Sequence, residues 1–212
     1  MAKKRAAKRR AWNKGIQLGQ KDAFTPAQVK QIRRVLTDHG VAGLKDLALF
    51  TVAIDTMLQG PELLSLTVKD VQRSEGTIRS VIEVARPRGR PPVRCALSKA
   101  TANALGKWIA ASGKKRTDYI FPSRRAGPNH PMRIRQMNRR LKSWLAEAGL
   151  NPKKYGTESL RRTKAIHILN GTGDIEAVRV LLGHTKIEST VRYLRIAAKR
   201  TDPIAISRAF EL

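Results

Sequence analysis

Apolar residues in this 212-residue chain change their spacing twice, and that limits the folds open to it. Up to residue 66 they recur every three or four positions, from 67 to 97 they fall into short alternating runs, and from 99 onward helical spacing returns. Thr25 followed by Pro26 predicts an N-cap and first helical position, with Val29, Ile32, Val35 and Leu36 on the buried face and Gly40 past the end. Leu47, Phe50, Ile54 and Leu58 predict a second helix over about 43–58, and Pro61 opens a short third. Three short strands are predicted at 67–72, 77–84 and 93–97. The stretch 85–92 carries three prolines, which donate no ladder hydrogen bonds, so it is an exposed loop presenting Arg86, Arg88 and Arg90. Helices are predicted over about 99–112, 133–148, 158–169, 175–182 and 188–199, with glycines and prolines between them. The expectation is a mainly α domain, residues 23–212, with a small three-stranded antiparallel sheet and a basic tail, residues 1–22, in front of it.

Charge narrows the function. Lys and Arg number 43 against 16 Asp and Glu, a formal net charge of +27. Seven of the basic residues, including Lys3, Lys4, Arg5, Lys8, Arg9 and Arg10, fall in the first 14 positions with no acidic residue among them. Without those seven the balance is still 36 to 16, so the folded part is basic too. Such a chain is expected to bind nucleic acid. The tail is read as a disordered segment that orders on a polyanion, against the plainer alternatives of a solubilising extension or a nuclear address. One cysteine, Cys95, excludes an internal disulfide framework and a cysteine-based zinc cluster. No apolar run approaches the ~20 residues of a membrane span, and no apolar stretch follows the first residues as in a signal peptide. The protein is expected to be intracellular, in the cytoplasm with the nucleoid, with no membrane partner.

Three strings in the last third carry chemistry: Leu160-Arg161-Arg162-Thr163, Leu181-Leu182-Gly183-His184-Thr185 and Ser189-Thr190-Val191-Arg192-Tyr193. Taken singly, a His after Gly is most often a helix cap and a Tyr near a chain end is most often packing. Together, Leu182-Gly183-His184 with a Thr-x-x-Tyr ending at Tyr193 nine residues after the His, and with the upstream arginine string, resembles the tyrosine recombinase family, the phage integrases. The segment 55–70 resembles the helix-turn region that carries the family's first arginine. The resemblance spans about residues 23–200.

The resemblance implies a tyrosine recombinase catalytic-domain fold and a defined reaction. A tyrosine hydroxyl attacks a DNA phosphodiester to form a 3′-phosphotyrosine, which conserves the ester energy, so no metal, ATP or other cofactor is needed. Two arginines and histidines neutralise the phosphate oxygens, and a lysine on a hairpin loop protonates the 5′-oxygen. Carried across, Tyr193 is the nucleophile, Arg161 the second arginine and His184 the later histidine. The first-arginine position falls on Gln59, which brings no charge, and the earlier histidine position falls on Glu158, a carboxylate. The lysine position falls near Pro87, and the neighbouring Arg86 and Arg88 are poor proton donors because an arginine pKa exceeds ~12. Glu158 and Arg161 are three apart on a predicted helix and are expected to pair; Glu158 acting as a base toward Tyr193 is a second possibility.

Candidate DNA contacts are the tail residues, Arg86, Arg88 and Arg90 on the loop, Arg133, Arg135, Arg139 and Arg140 on one predicted helix, and Arg162 and Lys164 beside the arginine motif. An apolar run after Tyr193, including Ile196, Ile204, Ile206 and Phe210, is either an oligomer contact or packs on its own domain. The expected function is a DNA-binding recombinase homologue with a degenerate active site. It would act in recombination or integration as a weakly catalytic, architectural or regulatory subunit, as a homo-oligomer on duplex DNA or beside a catalytic recombinase. The alternatives are an active integrase working through Tyr193 and a nonspecific DNA-coating protein.

Overall fold

The computed structural model describes residues 21–86, 90–123 and 127–194. The basic residues of the tail (Lys3, Lys4, Arg5, Lys8, Arg9 and Arg10), Arg88 on the loop and the apolar C-terminal run lie outside these residues.

The helix α1, Pro26–Asp38, begins as its sequence predicts. The Thr25 hydroxyl accepts from the Gln28 amide, and the Gln28 side chain accepts from the Thr25 amide at 3.0 Å. Such a capping box satisfies two amides that have no partner in the first turn, worth about 0.5–2 kcal/mol. A 3-10 turn at Gly40–Gly43 leads into α2, Leu44–Thr56. Residues 48–53 of α2 are all buried, because the helix runs through the centre of the domain between α1 and the later helices at Lys99–Ser112 and Thr157–Thr172. Its N-terminal end is tied to α6, Ile134–Glu147, where Asp46 accepts from Trp144 Nε1 at 2.9 Å and pairs with Arg140 at 2.5 Å. Phe50 meets the edge of the same indole, ring centroids 6.1 Å apart.

Two short helices follow, α3 at Gly60–Leu64 and α4 at Val68–Val71. The strand predicted over 67–72 is therefore a helical turn. The Thr67 amide and hydroxyl both donate to Asp70 Oδ2, at 2.7 and 2.6 Å, and this local cap outweighs the β-branched pattern. Only a single bridge, Gln72 to Ile78, stands where the first pairing of a three-stranded sheet was expected. The sheet that forms has two strands, β1 at Val81–Val84 and β2 at Val93–Ala96, antiparallel with Ile82 opposite Cys95 and Glu83 opposite Arg94. Ile82, Val84, Val93 and Cys95 face the core, and Arg94 faces out. After α5, Lys99–Ser112, a second small pairing joins β3, Pro122–Ser123, to β4, Gly127–Pro131. Its prolines hide it from a strand reading of the sequence.

The last described residues form α7, Thr157–Thr172, α8, Ile175–Leu182, and α9, Ile187–Leu194. These three helices share a small second core of Ala165, Val178, Leu182 and Leu194, completed by Met57 from the end of α2. The seam where α2 meets this second core is where the chemistry-bearing residues gather.

Candidate active site

Met57 ends α2 in left-handed backbone, φ 50°, the non-glycine residue with positive φ among the described residues. That conformation costs roughly 1–2 kcal/mol for a residue with a Cβ. The Met57 carbonyl accepts from Arg161 Nε at 2.6 Å. Arg161 lies in the first turns of α7 and is 6% exposed. Its Nη2 donates to the Leu182 carbonyl at 2.7 Å, at the C-terminal end of α8, where carbonyls lack helical partners and the helix dipole favours a cation. Its Nη1 lies 3.7 Å from Glu158 Oε1, one turn earlier on α7, the pairing that the spacing predicts. Half of the Glu158 side chain remains exposed.

Gly183 caps α8 with φ 65° and turns the chain so that His184 faces back toward α7 and α9. The His184 ring is seated by Thr190, with Nδ1 3.0 Å from the buried hydroxyl, and its edge meets the Tyr193 ring at 5.6 Å between centroids. Arg179 holds the turn by donating to the His184 carbonyl at 2.5 Å. Burial, then the charges of Arg161 and Arg86, lower the His184 pKa and favour the neutral ring.

Tyr193, on the last turn of α9, lies under two guanidinium groups. Arg162 is 4.9 Å and Arg161 5.4 Å from its ring centroid. Its hydroxyl is buried and has no hydrogen-bond partner among the described residues. Burial pushes its ionisation well above the ordinary tyrosine range. The negative charge of Glu158 adds to this, and the opposing pull of Arg161 and Arg162 does not overcome it. Arg161 from α7, His184 from the turn after α8 and Tyr193 from α9 thus meet in one place.

Gln59, two residues past Met57, is the N-cap of α3. Its amide donates to Glu62 Oε2 at 2.9 Å. The other oxygen of Glu62 accepts from Arg86 Nε at 3.0 Å, and both side chains are nearly sealed from solvent, at 6% and 3% exposure. The loop after β1 therefore does not simply present its arginines outward: Arg86 turns inward and donates from Nη1 to the Gly183 carbonyl at 3.1 Å. Arg90 stays partly exposed, 3.9 Å from Glu62.

The other candidate DNA contacts divide by exposure. Arg133, Arg135 and Arg139 stand exposed on or beside α6. Arg135 joins Lys21, Lys142 and Lys153 around a groove of about 570 Å³ that Glu158 also lines. Arg140 is tied to Asp46, and Lys164 to Asp55, whose carbonyl accepts at 2.9 Å. Arg162 is 3% exposed, with its guanidinium on the Lys21 carbonyl and the Tyr193 ring, so it is an interior residue rather than a surface cation. The sequence reading missed Arg94 and Arg179, which with Arg86, Arg90 and His184 border a cavity of about 420 Å³. The outward position of Arg94 in the β2 alternation was the available signal for that residue. Nothing local marks Arg179, which faces this cavity only because α8 docks beside β2.

The profile of the phage integrase family matches residues 22–200. The chain belongs to that family. Among curated relatives, tyrosine recombinase XerD of Vibrio vulnificus (strain YJ016) is 29% identical over 166 residues, which cover 76% of this chain and 52% of XerD. This chain thus spans about half the length of the tyrosine recombinases it matches. In three dimensions it resembles the XerA recombinase, with a TM-score of 0.70 at 21% identity over 92% of this chain and 67% of XerA. It also resembles the Tn1549 transposon integrase solved with transposon right end DNA, with a TM-score of 0.68 at 18% identity over 91% and 66%. These likenesses show the tyrosine recombinase catalytic-domain fold, mainly helical with small antiparallel sheets.

Proposed function

We propose that this tyrosine recombinase domain binds duplex DNA and acts in DNA recombination or integration with an assembled but weakened cleavage site. The supporting observation is one juxtaposition: Arg161, His184 and Tyr193 converge, while the neighbouring Gln59 carries no charge and Glu158 brings a carboxylate 3.7 Å from Arg161. In the reaction such a site carries, Tyr193 Oη bonds to phosphorus as the bond from phosphorus to the 5′-oxygen breaks. The phenol gives up a proton and the 5′-oxygen takes one up. Arg161 and His184 would face the charge that builds on the equatorial oxygens. Glu158 opposes that charge and pairs with the arginine that should meet it. The buried Tyr193 hydroxyl also resists ionisation, so the phenol needs a proton acceptor as it attacks.

A weakened site suits a weakly catalytic, architectural or regulatory subunit, assembled with copies of itself or with a catalytic recombinase at the nucleoid. Among the described residues no helix is long and apolar enough to cross a membrane. A fully active integrase working through Tyr193 is the second reading, favoured by the packing of that ring against both Arg161 and His184.

Salt dependence tests the DNA-binding part. With roughly 6–10 phosphates contacted, duplex affinity is expected to fall about 10³–10⁵-fold between 50 and 200 mM salt, and deletion of the first 14 residues to flatten the slope. A profile flat in salt overturns it. Equal affinity for unrelated duplexes at ~0.2 M salt supports nonspecific coating instead.

A further inference from the structure

We propose that Arg162 is a positioning residue for the nucleophile, one that seats the Tyr193 ring and makes that seat depend on residues 21–24. The proposal rests on the cleavage-site reading above, which gives Tyr193 that role. Arg162 is 3% exposed, and Glu158, the acidic residue of α7, pairs with Arg161 instead. Arg162 Nη1 donates to the Lys21 carbonyl, and its buried Nε has no hydrogen-bond partner among the described residues. The guanidinium lies over the face of the Tyr193 ring, 4.9 Å from the centroid, closer than Arg161 at 5.4 Å. An aromatic face carries partial negative charge, so it offsets part of the cost of burying this cation. The offset grows as the phenol gives up its proton, and Arg162 favours the ionised ring. Arg161 has two donors committed to the Met57 and Leu182 carbonyls, so the ends of α2 and α8 set its position.

The position of Arg162 is set by residues 21–24. The Asp22 amide donates to the Lys154 carbonyl at 3.1 Å, and the Phe24 amide to the buried Thr163 hydroxyl at 2.9 Å. The Phe24 carbonyl lies 3.1 Å from His167 Nε2, and its ring stacks on Tyr155 with centroids 4.4 Å apart. These contacts lay the segment against α7 and fix the Lys21 carbonyl on Arg162. Lys21 thus determines where the guanidinium rests, and the guanidinium determines where the Tyr193 ring rests.

The chain has three tyrosines, and each reports on a different part of this arrangement. Tyr193 reports the nucleophile, Tyr155 reports residues 21–24 through Phe24, and Tyr119, bridged to Thr67, is the control. The full chain is labelled with 3-fluorotyrosine, and its fluorine NMR resonances are assigned with single Tyr→Phe variants. Arg162→Met keeps an apolar stem, removes the charge, and is expected to shift the Tyr193 resonance but not that of Tyr119. Asp22→Pro removes the amide that holds the Lys154 carbonyl and so loosens Lys21. It is expected to shift the Tyr193 resonance as well, but to add nothing in the Arg162→Met background, because the coupling runs through the guanidinium. If Arg162→Met does not fold, Asp22→Pro alone reads the coupling. The chemical readout is covalent adduct trapped on nicked duplexes by a Glu158→His chain. There Arg162→Met is expected to slow adduct formation about tenfold, the scale of a desolvated cation–π contact, with duplex affinity and its salt dependence unchanged. A Tyr193 resonance unmoved by both variants while that of Tyr155 shifts overturns the proposal and leaves Arg162 as a strut for residues 21–24. A salt slope lowered by about one unit in Arg162→Met also overturns it, by making Arg162 a phosphate contact. Failure of the cleavage-site reading is distinct: no chain then forms an adduct, while the fluorine shifts still decide whether Arg162 seats the ring.

Discussion

Arg161 holds the Leu182 carbonyl through Nη2 at 2.7 Å, so the residue that would meet a phosphate also fastens α7 to α8. Its Nε fastens α7 to the end of α2 through Met57 at 2.6 Å. Arg161→Ala leaves two carbonyls without these charged donors where the arginine side chain was buried. A loss of about 2–4 kcal/mol is expected in urea unfolding, together with loss of any covalent DNA adduct. Arg161→Ala unfolding at the same urea concentration as the unmodified chain would show that the two carbonyl contacts contribute nothing to the fold.

Tyr193 predicts the opposite separation of stability from chemistry. Its hydroxyl is buried and meets no acceptor in good hydrogen-bond geometry among the described residues; the nearby Glu158 carboxylate offsets only part of its desolvation. Tyr193→Phe keeps the ring under Arg161 and Arg162 and removes only that hydroxyl. Stability is expected to hold or to rise by up to about 1–3 kcal/mol while adduct formation disappears. A marked drop in stability would mean the hydroxyl has a partner in solution.

How far this site could be read from the sequence depends on whether its parts are local or brought together by docking. The capped helix at Thr25 and the cores of α5 and α8 follow from patterns within a few residues, as does the pair of Glu158 with Arg161. Tyr193, His184 and Arg161 were legible because their spacing resembles a family, not because any one of them announces its role. The strand predicted over 67–72 failed where Thr67 and Asp70 close a helical turn by side-chain hydrogen bonds. Arg162 reads from the sequence as a DNA contact beside the arginine motif, yet α7 turns both Arg161 and Arg162 inward. The sequence marks Thr190 only as part of the tyrosine string and gives no sign of Met57, because a seat for an imidazole and a carbonyl acceptor show only when α2, α7 and α9 meet.

His184 links the site to pH. The fold favours its neutral ring, so its folded-state pKa lies below the ordinary value of 6.5, through burial first and then Arg161 and Arg86. Between those two values the unfolded chain binds the proton more readily. The stability owed to this residue is therefore complete above about pH 6.5 and declines as pH falls through the lowered folded-state value. His184→Asn is expected to remove this contribution to the slope of unfolding free energy against pH, measured by urea titration from pH 7.5 to 5. An Asn variant with the unmodified slope would place the acid sensitivity elsewhere.

Gly183 is expected to tolerate no side chain. Its φ of 65° favours glycine, and a Cβ there would meet Arg86 Nη1 at 2.3 Å and Val93 Cγ2 at 3.2 Å. The backbone strain alone costs Gly183→Ala about 1–2 kcal/mol. The displaced Arg86 guanidinium also gives up the Gly183 carbonyl, which adds to that loss. Thermal unfolding reads the sum, and a Gly183→Ala protein with unmodified stability would contradict the turn geometry.

Charge restoration is the most demanding of these expectations. Glu158 places a carboxylate 3.7 Å from Arg161, and its charge adds to the burial that keeps the Tyr193 phenol protonated. Replacing it with histidine removes both effects and adds a hydrogen-bond donor. Gln59→Arg adds a guanidinium beside Glu62, whose carboxylate already holds the Gln59 amide. Each recovered donor is worth roughly 10²–10³ in rate when it faces the transition state, and the two need not multiply. Arg86 already shares Glu62, so Glu158→His is expected to give the larger gain and Gln59→Arg the smaller. The readout is the fraction of protein trapped as a covalent adduct on nicked duplexes selected from a randomised pool by the unmodified chain. The doubly substituted protein is expected to form at least about 10²-fold more adduct, and adding Tyr193→Phe to abolish it. If the unmodified chain already forms the Tyr193 adduct as fast as the doubly substituted one, the weakened-site reading is wrong and the fully active integrase stands in its place.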